Sequence, residues 1–135
     1  MRNITEDDIH GILEMGHLMH QEGRFSQFDF NDEKVENLIK LLINNGIAII
    51  TEGGFFLGLV TEHFFGNDKI SLDLALYVRE GFRGEGIADQ LIDEYIKVAR
   101  EMGAVDIGIG NSMGNVGGLY ERHGFSKVGG VYRLS

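Results

Sequence analysis

The chain has 135 residues, no cysteine, no proline and a formal net charge of -9. That length suits a single domain with an ordinary buried core, and the missing cysteine excludes disulfides, thiolate nucleophiles and cysteine-ligated zinc. The acidic balance argues against a nucleic-acid surface, whose affinity comes from clustered Lys and Arg.

No basic stretch with an apolar run opens the chain, and nowhere do about 18 apolar residues run together. The expectation is a soluble cytoplasmic protein with no membrane partner. The charge is uneven: residues 1–78 carry 13 acids and 5 bases, residues 79–135 carry 8 acids and 7 bases. An acidic first part suits a cationic ligand and a near-neutral second part an anionic one. Glycine, at 20 residues, supplies the sharp turns that proline does not.

In chain order, Thr5 followed by Glu6, Asp7 and Asp8 reads as a helix start, and the apolar spacing predicts a helix near 5–22. "RFSQFDF" reads as an aromatic loop. Asn31 caps a second helix, "DEKVENLIKLLINN", which Gly46 ends. "IAIITE" and "FFLGLVTEHFF" flank Gly53-Gly54, a hairpin signal, and a second turn at "GND" leads into "KISLDLALYV". Strict alternation there puts Ile70, Leu72, Leu74, Leu76 and Val78 on one strand face and Ser71, Asp73, Ala75 and Tyr77 on the other. Three strands form an antiparallel meander.

Ile87, Ala88, Leu91, Ile92, Tyr95, Ile96 and Ala99 recur at helical spacing up to Gly103. "AVDIGIG" predicts a strand, "VGGLYERHG" a short helix, and "FSKVGGVYRL" a last strand or strand pair. Strand, glycine loop, helix and strand make one βαβ crossover joined to the meander. The fold class is α+β, a mixed sheet flanked by helices, in one domain over 1–135.

The junction "YVREGFRGEGIADQLID" (residues 77–93) sets glycines at a helix start. Unpaired N–H groups and the positive dipole end favour an anion there, and bare backbone lets it approach. Gly81 and Gly86 have P-loop spacing, but Ile87 and Ala88 stand where Lys and Ser/Thr belong. Gly84 and Gly86 open a dinucleotide fingerprint, but Asp89 occupies its third glycine. The pattern R-x-x-G-x-[GA] is satisfied throughout Arg83–Ala88.

At this motif the sequence resembles the GNAT superfamily of acyl-CoA-dependent N-acyltransferases, in which such a loop cradles the pyrophosphate of coenzyme A. "LYERHGF" (residues 119–125) is similar to the family's Leu-Tyr-x-x-x-Gly-Phe segment, and "MRNITEDDI" to its opening strand and first helix. The resemblance covers nearly the whole chain. It implies a GNAT-like fold and transfer of an acetyl group from acetyl-CoA to a primary amine by direct attack in a ternary complex, with no metal.

The resemblance also assigns residues. Backbone N–H groups of Arg83, Gly84, Glu85, Gly86, Ile87 and Ala88 would hold the pyrophosphate, the Arg83 side chain adding charge if it points inward. The backbone of Leu76, Tyr77 and Val78 would pair with the pantetheine arm, one N–H facing the thioester oxygen. Tyr120 resembles the tyrosine that protonates the departing thiolate. Asp73 and Glu62 are the candidate bases for the amine, Asp73 through a bridging water. Where the family often has an asparagine about seven residues before the tyrosine, Asn111 and Asn115 bracket the spacing, and Asn115 is the candidate for CoA contact.

Weaker constellations have plainer readings. His17 and His20 lie one helical turn apart without a third metal ligand, "GNS" around Ser112 is not a nucleophile elbow, and Phe25, Phe28 and Phe30 either line an acceptor pocket or pack in the core. The charge asymmetry favours a cationic acceptor, a small amine or a protein amine, and family habit suggests a homodimer. The alternatives are a non-catalytic acyl-CoA-binding module and an interaction domain with a purely structural glycine loop.

Overall fold

The computed structural model describes residues 1–110 and 117–134. Strand β1 (Arg2–Asn3) leads through a 3-10 turn at Glu6–Asp8 into helix α1 (Ile9–Glu22). The Asp8 carboxylate fixes this entry by accepting the Thr5 N–H at 2.8 Å and both guanidinium nitrogens of Arg2 at 2.7 Å. Helix α2 (Asp32–Asn45) starts where the Asn31 side chain accepts the Lys34 N–H at 3.0 Å, which satisfies one of the orphan donors of its first turn. Then follow β2 (Ile47–Thr51), β3 (Gly54–Glu62), β4 (Lys69–Val78), α3 (Ile87–Glu101), β5 (Ala104–Ile107) and α4 (Gly117–Arg122).

The five strands lie in the order β1-β2-β3-β4-β5. The first four pair antiparallel, and β5 joins β4 in parallel through the α3 crossover. Helices α1 and α2 cover one face, where Ile12, Met15 and Ile39 pack with Phe55, Leu57 and Tyr77. Helix α3 covers the other, where Leu91, Tyr95 and Ala99 pack with Ile47, Ile49 and Phe56. Full burial of each large apolar side chain contributes about 1.5–3 kcal/mol. Because helices cover both faces, Ile47, Ala48 and Ile49 are all buried in succession, the pattern of a strand apolar on both sides.

Two expectations from the sequence are corrected. The alternation along β4 does not hold, because the pairing with β3 steps from Leu57↔Ala75 to Gly58↔Asp73 and leaves Leu74 as an extra residue. A bulge of this kind shifts the facing by one residue. Ala75 and Tyr77 therefore pack on the α1–α2 side, whereas Ser71 meets Tyr95 of α3. Gly58 stands opposite the bulge, where a Cβ would lie 2.9 Å from the Leu72 carbonyl oxygen.

The second correction concerns the C-terminal strand. Residues 125–134 form no strand, and Val128, Tyr132 and Leu134 are almost fully exposed. A strand exists only through a ladder partner, and Gly129-Gly130 weakens the middle of this segment. The strand predicted over "AVDIGIG" also stops early, at Ile107.

Candidate functional site

Strands β4 and β5 share only three partner pairs, Lys69↔Ala104, Ile70↔Asp106 and Ser71↔Ile107, and the Gly108 N–H donates a last backbone bond to the Ser71 carbonyl at 2.9 Å. Beyond it the strands part. From Leu72 to Val78, β4 is paired, among the described residues, along β3 alone, so part of its N–H and C=O groups face the opening. Tyr95, fully buried on α3, pins the parting point: its hydroxyl bonds the buried Ser71 hydroxyl at 3.0 Å and the Gly108 carbonyl at 2.6 Å.

Two of the sequence candidates converge at this opening. The Gly110 N–H donates to the Asp73 carboxylate at 2.8 Å, and the Tyr120 hydroxyl donates to the Gly110 carbonyl at 2.8 Å. A single residue thus holds both side chains. Desolvation raises Asp73 above the ordinary aspartate value, outweighing the stabilising bond from Gly110, and a raised carboxylate is a better proton acceptor. Burial, with the Asp73 charge adding to it, pushes Tyr120 up to about 12. The phenol therefore keeps its proton at neutral pH. Glu62 is not brought together with them. It pairs with Lys69 at the far end of the hairpin, four residues past the Gly58 opposite Asp73, about 13 Å along the strand.

The glycine loop lies at the other end of the opening. A 3-10 turn at Glu80–Phe82 carries β4 toward α3, and Gly84 and Gly86 take φ of +85° and +81°, a left-handed conformation that side chains resist. A Cβ at Gly81, Gly84 or Gly86 would meet no atom of the described residues within 4 Å, so the bare backbone faces open space among them. Among the described residues no side chain caps α3 at Gly86, which leaves its first N–H groups available to a ligand. Val78, Gly84, Gly86, Ala88, Leu119 and Arg122 help line a cleft of about 390 Å³. Glu85 is exposed.

The Arg83 guanidinium is turned to protein partners: Nε donates to the Val78 carbonyl at 2.9 Å and Nη2 to the Glu22 carboxylate at 2.8 Å. Glu22 also accepts the Tyr77 hydroxyl at 2.5 Å, and these bonds, Tyr77 foremost, lower it below the ordinary glutamate value. Thus α1, β4 and the loop are tied at one carboxylate. Leu76 and Val78 face α3, while Tyr77 faces α1.

The remaining candidates separate. Asn111 and Asn115 lie outside the described residues. Phe30 packs on His17 at 4.0 Å between ring centroids, and His17 meets the Asp32 carboxylate at 2.6 Å. Phe25 and Phe28 stack at 5.7 Å and stay largely exposed.

Sequence reasoning missed Glu22, Ser71, the polar role of Tyr95, and a cluster in which Arg122 and His123 of the α4 region meet Asp89 and Asp93 of α3. Asp89 and Asp93, one helical turn apart, were the available signal for that cluster. Tyr95 read simply as part of an apolar stripe.

A family model described as an acetyltransferase (GNAT) domain matches residues 43–127. No curated protein sequence matches the chain. Among solved structures, an acetyltransferase of Trypanosoma brucei superposes with a TM-score of 0.75 at 20% identity, covering 99% of this chain and 96% of that one. Glucosamine-6-phosphate N-acetyltransferase of Arabidopsis thaliana gives 0.75 at 16% identity, with 99% and 95% covered. Ribosomal-protein-alanine N-acetyltransferase of Brucella melitensis gives 0.73 at 18% identity, with 99% and 97% covered. At such identities the superpositions speak for the fold, while the family model spans more than half of the sequence; the chain belongs to the GNAT acetyltransferase family.

Proposed function

We propose that this chain is an acetyl-CoA-dependent N-acetyltransferase acting on a primary amine in a ternary complex. The observation that carries the reading is the convergence of Asp73 and Tyr120 on Gly110 at the parting of β4 and β5. The residues present fit the co-substrate: glycine positions facing open space, uncapped N–H groups at the start of α3, and a strand edge without a ladder beside them. Bound there, acetyl-CoA would supply the electrophilic thioester carbon and leave as the thiol.

In this reading the N–H groups of Arg83–Ala88 bind the pyrophosphate and the free edge of Leu76–Val78 orients the pantetheine arm. One N–H of that edge stabilises charge on the thioester oxygen, an effect worth about 3 kcal/mol per donor in acyl-transfer sites. Asp73, through water, accepts the proton of the attacking amine, and Tyr120 holds a proton at Oη for the departing sulfur. Arg83 supports the loop from behind, through Glu22 and Val78, rather than through contact with the phosphates. The acidic N-terminal part favours a cationic acceptor.

Calorimetric titration with acetyl-CoA tests the reading. Wild type should bind in the micromolar range and release thiol when an amine is added, and Gly86→Glu should lose binding, because its side chain enters the cradle in a left-handed position. A folded wild type that binds no acetyl-CoA refutes it.

A further inference from the structure

Asp89 stands in the first turn of α3, where a lone carboxylate would oppose an anion bound at the loop. It is not alone. The His123 ring, with its side chain only 10% exposed, sits just after α4 with Nε2 at 2.7 Å from Asp89 and Nδ1 at 2.8 Å from Asp93. A neutral imidazole has one N–H, and ionised carboxylates only accept, so both contacts are satisfied only when both ring nitrogens carry protons. Arg122 adds a second cation on Asp89 at 3.1 Å and lines the loop cleft.

We propose that His123 is a positioning residue: as an imidazolium bridging Asp89 and Asp93, it locks the helix that carries Tyr120 onto the phosphate-loop helix and cancels the Asp89 charge beside the cradle. It follows Tyr120 by three positions, so the bridge sets where the phenol sits against Gly110. Arg100 of α3 and Asp106 of β5 line the adjoining groove with His123 and oppose each other in sign. Burial works against the charged ring, yet the hydrogen bonds to Asp89 and Asp93 outweigh it and raise His123 above the ordinary histidine value. The lock is therefore complete below the ordinary value and is lost as pH rises through the raised one.

The lock has a readout that needs no ligand, and its effect on affinity rests on the acetyl-CoA reading. Imidazole ¹⁵N signals and the Tyr120 ring resonances are followed against pH in wild type and His123→Gln, with acetyl-CoA affinity measured in parallel. In wild type both ring nitrogens should be protonated at about pH 6.5, and the Tyr120 resonances should move with the imidazole titration. Affinity should weaken roughly fivefold across that titration, the scale of one partly exposed charge pair. In His123→Gln the Tyr120 resonances should be flat over the imidazole range, keeping only the response to Asp73 on its acid side, and across that range the remaining pH dependence of affinity should be that of the ligand alone. A neutral ring at about pH 6.5, or the same Tyr120 and affinity profiles in both proteins, overturns the proposal. If the folded protein binds no acetyl-CoA at any pH, the cofactor reading falls, and the Tyr120 resonances alone decide the lock: movement with the imidazole upholds it and independence refutes it.

Discussion

The β1–β4 meander and the β4–β5 junction are built from opposite materials. In the meander, backbone groups satisfy one another across long antiparallel ladders, and its central strands bury Ile47, Ile49, Phe55 and Phe56 with almost no exposure. At the junction three partner pairs suffice, and polar side chains take over: Ser71 with Tyr95, Asp73 with Gly110, Tyr120 with Gly110. The lesson is that this protein gathers its polar groups where its ladder ends. A complete ladder offers a ligand no free backbone group, whereas an interrupted one leaves donors and acceptors poised on a rigid frame.

The sharpest way to break the contrast is to injure each side separately. Phe55→Ala removes a side chain 2% exposed on the α1–α2 face, and denaturant unfolding should show a loss of about 3–5 kcal/mol. Where the variant is still folded, thiol release per active site should be close to wild type. A large loss of turnover in that folded state would mean the two regions are not separable.

Tyr120→Phe should do the reverse, lowering kcat roughly a hundredfold or more through loss of the proton donor, with little change in acetyl-CoA affinity. Asp73→Asn should act on the same step. In wild type the acid limb of the rate profile should report a group above the ordinary aspartate value, because burial raises Asp73. A raised carboxylate loses stability as pH rises through its folded value, so Asp73→Asn should raise Tm at pH values above that limb while removing activity. A variant that loses both would make Asp73 a structural residue.

Tyr95→Phe probes the seam itself. It strips the phenol from Ser71 and from the Gly108 carbonyl, and unfolding should show a cost of about 1–3 kcal/mol for the groups left buried without it. A drop in turnover larger than the folded fraction explains would show that the parting point must be held in place for chemistry.

The smallest effect belongs to the far end of the meander. Asp8 is held down at about 2, chiefly by its hydrogen bonds from Arg2. This contribution is present above the ordinary aspartate value and is lost as pH falls through the lowered one. Acid unfolding curves of Asp8→Asn and wild type should therefore converge at the lowest pH and separate above it, with turnover at neutral pH unaffected.

Much of the fold was legible locally. The caps at Thr5 and Asn31, the Gly53-Gly54 turn and the apolar stripe of α3 all depend on neighbours within one or two turns of chain, so spacing alone places α1, α2, the meander and α3 close to where they lie. The glycine loop was legible for the same reason: its left-handed positions and the helix start are properties of one short stretch. The C-terminal strand was not, because a strand's existence is a matter of partners, and among the described residues none pairs with residues 125–134.

The site divides along the same line. The residue types were readable, Asp73 and Tyr120 among them, but nothing local tells that Asp73 and Tyr120 meet at Gly110 while Glu62 lies at the other end of the hairpin. The bulge at Leu74 is what turns Ser71 and Asp73 toward α3 while Ala75 and Tyr77 face α1. It arises from register against β3, a relation between two strands that neither strand encodes in its own alternation. Likewise Glu22 reaches Tyr77 and Arg83 across more than fifty residues of chain, and His123 reaches Asp89 and Asp93 across about thirty. Most of the elements and the glycine loop before α3 could be read from the chain alone, because they are written in short-range spacing, and the loop and the Leu-Tyr segment carried the resemblance to the family. Which charged and hydroxyl groups share a space depends instead on strand register and on where the β4–β5 ladder comes apart, relations between segments far apart in the chain.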